Sequence, residues 1–112
     1  MNTTLAHQDT MLALVGKRET FRGRTGAVAV ETITALYADL TVGDVIVRDA
    51  VNASGNLDGF MEFEIVSNER TEWIDTHNRT FTTVPARNLA TGEVSDIRYH
   101  ATTGIAAKLI TA

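Results

Sequence analysis

The chain contains no cysteine. That single absence removes a disulfide framework, a thiolate zinc site and a cysteine nucleophile. Lysine is nearly absent as well: Lys17 and Lys108 stand against eight arginines. With abundant Ala, Val, Thr and Asp, this balance fits coding in a GC-rich genome. No apolar run approaches the ~20 residues that a membrane-spanning helix requires. Residues 1–10 lack the basic flank and apolar stretch of a signal peptide, so the expected location is cytoplasmic, with no membrane partner. Proline occurs once, at Pro85. It cannot donate a ladder hydrogen bond, which assigns its position to a sheet edge or a bulge.

What remains is the composition of a folded domain. At 112 residues, 44% hydrophobic and 21% charged, the chain has room for one core and enough apolar surface to build it. The net charge of −4 is unevenly spread. Residues 1–25 carry Lys17, Arg18, Arg22 and Arg24 against Asp9 and Glu19, and all the other carboxylates follow. A basic arm on an acidic body suits an acidic partner, a neighbouring copy of the same chain included. The division expected is a basic N-terminal arm or extension over 1–26 and a small β-barrel domain over 27–112. Within the arm, the apolar cluster Met11, Leu12, Leu14 and Val15 is too short to fold alone and is expected to dock.

From Ala27 onward β-branched residues dominate. Val28, Val30, Thr32 and Thr34 alternate with Ala27, Ala29, Glu31 and Ile33. Val30, Ile33, Tyr37 and Leu40 also fit a helix face; the β-branching favours a strand. Val45–Arg48 reads as a second strand, followed by a long polar loop, Asn52–Gly59. Phe60–Ser67 alternates, with Met61, Phe63 and Ile65 on one side and Glu62 and Glu64 on the other. Asn68–Arg79 reads as a connection in which Glu72-Trp73-Ile74 can pair as a short strand. Thr80–Asn88, Val94–His100 and Ile105–Ile110 complete the set, with a hairpin turn at Ala90–Glu93.

This order of strands and loops resembles the Src-homology-3-like small barrel, with Val45–Arg48, Phe60–Ser67, Thr80–Asn88, Val94–His100 and Ile105–Ile110 as its five strands. The stretch Leu40-Thr41-Val42-Gly43-Asp44-Val45-Ile46 is similar to the L-x-x-G-D-x-V opening of such barrels. The fold class implied is mainly β: a five- to six-stranded barrel with an N-terminal extension. Small, arginine-rich, cysteine-free barrels with this opening also look like accessory proteins of phages of GC-rich bacteria, which implies a virion or a host cytoplasm as the location. Fold resemblance says little about function.

No catalytic pattern stands out. His7, His77 and His100 show neither the i, i+2 nor the i, i+4 spacing of a local metal site, although Asp75 and His77 share one side of an extended segment. Ser54, Ser67 and Ser95 lack a nucleophile-elbow context. Glu62 and Glu64 share a strand face, which a solvated face explains. Gly23-Arg24-Thr25-Gly26 lacks the lysine and the preceding strand of a phosphate loop. The expectation is therefore no enzyme, no metal and no cofactor. The residues assigned to partner binding are Lys17, Arg18, Phe21, Arg22 and Arg24 in the arm, with Trp73 and His77 in the second connection. The reading is a non-catalytic interaction or structural module that binds a protein partner or assembles with copies of itself through its arm. The alternative is nucleic-acid binding by Lys17, Arg18, Arg22, Arg24, Arg87 and Arg98 with interleaved Phe21, which the acidic body disfavours. A small enzyme with an unrecognised site is the third reading.

Overall fold

The computed structural model describes residues 13–23 and 28–110. Among these, eight strands form one antiparallel sheet curled into a half-barrel. In chain order they are β1 (Arg18–Arg22), β2 (Ala29–Leu36), β3 (Val45–Val51), β4 (Leu57–Ile65), β5 (Thr71–Ile74), β6 (Thr80–Asn88), β7 (Val94–His100) and β8 (Ile105–Leu109). A 3-10 turn, Tyr37–Asp39, follows β2. The β-branched run from Val30 to Thr34 thus lies in a strand, β2, as its χ1 restriction favours.

All five strands expected from Val45 onward are present, and they pair in the order β8-β3-β4-β6-β7. β2 and β1 extend the sheet beyond β8. The total of eight exceeds the five to six expected by β1, whose single apolar residue in five gives no alternation, and by β5, the short strand that Glu72-Trp73-Ile74 allows. The polar loop expected over Asn52–Gly59 is shorter, since β4 begins at Leu57. The Asn52 side chain accepts from the amides of Ser54 and Asn56 and holds a five-residue hairpin loop, with Gly55 at φ +82°. Of the basic arm expected over 1–26, residues 18–22 are a strand of this same sheet, paired with β2 along their whole length. Arg24, Met11 and Leu12 lie outside the described residues.

Pro85 lies inside β6, at a place where no donor is needed. One edge of β6 pairs with β7 from Phe81 to Arg87. The other edge is shared, with β5 covering Thr80–Thr83 and β4 covering Ala86–Asn88. The Pro85 carbonyl accepts from the Val66 amide at 3.2 Å, so its ring nitrogen faces the same edge, at the junction between those two ladders.

The concave face holds the core: Tyr37, Leu40, Ile46, Ile65, Val84, Ala86, Ile97, Tyr99 and Ala106. Ile46, Ile65 and Val84 are completely buried, each contributing about 1.5–3 kcal/mol by burial. Tyr37 and Tyr99 stack with ring centroids 4.9 Å apart and planes 12° from parallel. Arg70 ties this end of the core together. Its guanidinium donates to the Leu40 carbonyl at 2.6 Å and to the Tyr99 hydroxyl at 3.0 Å. In the turn that follows Leu40, the Asp44 carboxylate accepts from the Thr41 amide at 2.9 Å and meets Lys108 at 3.4 Å, which closes the Leu40–Asp44 turn.

No described helix is long and apolar enough to cross a membrane.

Candidate functional site

The sheet splits between β3 and β8. Their ladder has only two rungs, Ile46↔Lys108 and Val47↔Ala107. Beyond it, Arg48 and Asp49 follow β4, while Ile105 and Ala106 follow β2. The fork opens a groove of about 560 Å³, a volume in the range of small-ligand sites. Phe21, Tyr37, Arg48, Arg98, Tyr99 and His100 line it together with the start of β8.

Gly104 sets this geometry. A Cβ there would lie 2.8 Å from the His100 carbonyl oxygen, closer than that backbone contact tolerates, and 3.0 Å from the Tyr99 Cβ, which would have to give way. With glycine the turn closes: the Gly104 amide donates to the His100 carbonyl at 2.9 Å, and the Gly104 carbonyl accepts from the Tyr37 amide at 2.9 Å. Both tyrosines are thereby fixed at the groove.

A second feature adjoins the groove on the convex face of β5, β6 and β7. Cross-strand register places Trp73, Phe81 and His100 in a row. The Trp73 and Phe81 centroids are 5.4 Å apart, and those of Phe81 and His100 are 4.9 Å apart. The Arg98 guanidinium lies 5.0 Å from the Trp73 ring and 4.9 Å from Phe81, with Arg79 5.6 Å from Phe81. Each such cation–π contact contributes about 0.5–1 kcal/mol when exposed. Phe81 points away from the core, yet these neighbours leave it only 9% exposed. Arg98 and His100 belong to both features, so groove and aromatic row form one continuous surface.

Two groups near this surface have displaced pKa values. Burial raises the Tyr37 phenol above its ordinary 10.0, with Arg48 pulling the other way; at neutral pH Tyr37 is a neutral hydroxyl. Asp75, in the β5–β6 turn, titrates below its ordinary 3.8. Its carboxylate accepts first from the Arg79 amide, then from the His77 amide and the Arg79 side chain. A lowered native pKa means that this contribution is present above the ordinary Asp value and is lost as pH falls through the native one. We expect amide exchange in β5 and the facing half of β6 to accelerate on acidification below about pH 4, and Asp75→Asn to remove that step. An unchanged exchange profile would refute this role for the carboxylate.

The residues singled out in the sequence are spread over this sheet. Arg18 and Arg22 are exposed on β1, and Lys17 precedes it, its carbonyl accepting from the Thr34 amide. Phe21, on the same strand, reaches the groove. Trp73 is on the convex face, and His77 is exposed in the turn that Asp75 organises. The fold therefore brings Phe21 and Trp73 to opposite ends of one surface and leaves His77 at its margin. Asp75 is engaged by its own turn, and among the described residues no group of three or more His, Asp and Glu is placed to hold a metal ion. Sequence reasoning missed Phe81 and Arg70. Strand parity carries a signal for the first, since Phe81 and Val84 lie three apart and must face opposite sides. No local pattern marks Arg70.

No family model matches the chain, and comparison with curated proteins and with solved structures returns no match.

Proposed function

We propose that the protein is a non-catalytic interaction module that assembles with copies of itself through β1. One observation carries this reading: β1 is a basic strand at the edge of the sheet, paired among the described residues with β2 alone, on a chain of net charge −4. An edge strand is a template for pairing with another chain. A complementary edge is β5, which among the described residues pairs with β6 alone. It carries Glu72, follows Glu69 and exposes Ile74.

A β1-to-β5 contact is head-to-tail, so it closes into a ring or runs on as a filament. Assemblies of that kind fit a virion component, which keeps the likeness to phage accessory proteins in view. The pairing order β8-β3-β4-β6-β7 likewise supports the Src-homology-3-like reading. Light scattering on the full chain is expected to give a mass that rises with concentration above the 12.2 kDa of one copy. A strict monomer would contradict the proposal.

The nucleic-acid reading has one specific observation in its favour, the placement of Arg79 and Arg98 over Phe81 and Trp73. It predicts that a dT oligonucleotide binds with an affinity falling steeply with salt, and that Trp73→Ala weakens it by roughly 1–3 kcal/mol. Affinity independent of salt would exclude it.

A further inference from the structure

We propose that β1 of one copy and β5 of the next pair antiparallel in a single register, with Arg22 opposite Glu72 and Phe21 opposite Trp73. The inference rests on the assembly through these edges proposed above and supplies its geometry. The backbone restricts the choice first. In an antiparallel ladder, alternate residues turn their amide and carbonyl toward one neighbour, and the rest turn theirs away. The Gly23 amide donates to the Val28 carbonyl at 2.6 Å, and the Thr34 amide to the Lys17 carbonyl at 2.8 Å. In the β1–β2 register, Lys17, Glu19, Phe21 and Gly23 therefore bond β2, while Arg18, Thr20 and Arg22 present their backbone groups outward. On β5 the Asp75 amide donates to the Arg79 carbonyl at 3.0 Å. Thr71, Trp73 and Asp75 thus bond β6, and Glu72 and Ile74 face outward. Outward groups must meet outward groups, so Glu72 can stand opposite Arg18, Thr20 or Arg22.

The side chains decide among these three. Opposite Thr20, Glu72 gains no ion pair and Arg22 falls opposite Arg70, a like charge. Opposite Arg18 it gains a cation, but Phe21 meets Glu69, and only Arg18 and Glu19 of β1 lie alongside β5. Opposite Arg22 it gains a cation, Phe21 meets Trp73, and Thr20 covers Ile74, which is otherwise exposed. Phe21 and Trp73 then occupy a non-hydrogen-bonded pair, where Cα atoms are about 4.5 Å apart and side chains approach most closely. Aromatic pairs at such positions stabilise a sheet, and Phe21 extends the Trp73–Phe81–His100 row by a further ring. Arg22 and Glu72 are both exposed, and neither makes an ion pair among the described residues. Glu19 falls opposite Asp75, whose charge Arg79 already balances.

The chain has no cysteine, so every disulfide in the test is an introduced one. Three full-length double variants each report one register through exposed positions. Thr20→Cys with Ile74→Cys reports the proposed one. Arg18→Cys with Ile74→Cys reports Glu72 opposite Thr20, and Glu19→Cys with Thr71→Cys reports Glu72 opposite Arg18. Each is oxidised mildly at a concentration where light scattering shows assembly. The first is expected to give a ladder of covalent multimers on a denaturing gel. The other two should run as single chains, because their paired Cα atoms would lie beyond the ~7 Å that a disulfide spans. Separately, Arg22→Glu should raise the concentration needed for assembly about tenfold, and adding Glu72→Arg to the same chain should restore it.

A ladder from either of the other two variants, or no restoration by Glu72→Arg, would overturn the register and leave assembly through β1 and β5 standing. Assembly with no ladder from any variant would overturn both, in favour of another edge such as β7. A wild-type chain that stays monomeric at every concentration would overturn the assembly itself, and the register with it.

Discussion

Arg70→Ala is expected to lower the unfolding free energy by about 3 kcal/mol and the melting midpoint by roughly 15 °C. The side chain is half-buried and reaches the Leu40 carbonyl and the Tyr99 hydroxyl, with longer contacts to the Ser67 and Glu69 carbonyls. These are charge-assisted hydrogen bonds, stronger than neutral ones. They join the end of the 3-10 turn to β7 from a connection that otherwise holds few core residues. Removing the guanidinium leaves the Leu40 carbonyl and the Tyr99 hydroxyl without this donor, and the cost of an unmade bond exceeds the value of a made one. Arg70→Met keeps the apolar stem and should recover only a small part of the loss. Urea unfolding monitored by tryptophan fluorescence measures both variants. A cost under about 1 kcal/mol would show that the Tyr37–Tyr99 stack stands without its clamp.

The second large effect is on assembly. Changing Arg18 and Arg22 together to Glu should reduce the protein to a monomer whose melting midpoint equals that of the wild type at dilutions where the wild type is itself monomeric, because both side chains are exposed and make no ion pair among the described residues. Like charges facing each other across the proposed contact would then replace attraction with repulsion, which costs more than loss of the attraction alone. A parallel loss of stability would instead mark the arginines as supports of the β1–β2 hairpin.

How much of this was legible in the sequence depends on how locally each feature is encoded. Strands with one buried face announced themselves: Phe60 to Ile65 and Val94 to His100 alternate because one side meets the core, and the structure places both there. β1 has only Phe21 as an apolar residue among five, so its identity as a strand comes from the partner β2 and not from its own pattern. The Trp73–Phe81–His100 row depends on register between three strands, and register follows from turn geometry that a one-dimensional pattern encodes weakly. Phe21 and Trp73 were recognisable as candidates by residue type; that one surface joins them was not. Arg70 and Gly104 act through partners 29 and 30 residues away for the first and through the closure of a turn for the second. Neither leaves a periodic trace.

The most direct test of the central claim is a charge-swap mixture. One full-length variant carries Arg18→Glu and Arg22→Glu; the other carries Glu69→Arg and Glu72→Arg. Each is expected to be monomeric alone, because its β1 and β5 edges carry the same sign. Mixed in equal amounts, the acidic β1 of the first meets the basic β5 of the second, and the basic β1 of the second meets the acidic β5 of the first. Light scattering should therefore show assembly restored to the wild-type mass only in the mixture. Variants that assemble alone as the wild type does, or a mixture that stays monomeric, would contradict assembly through these two edges.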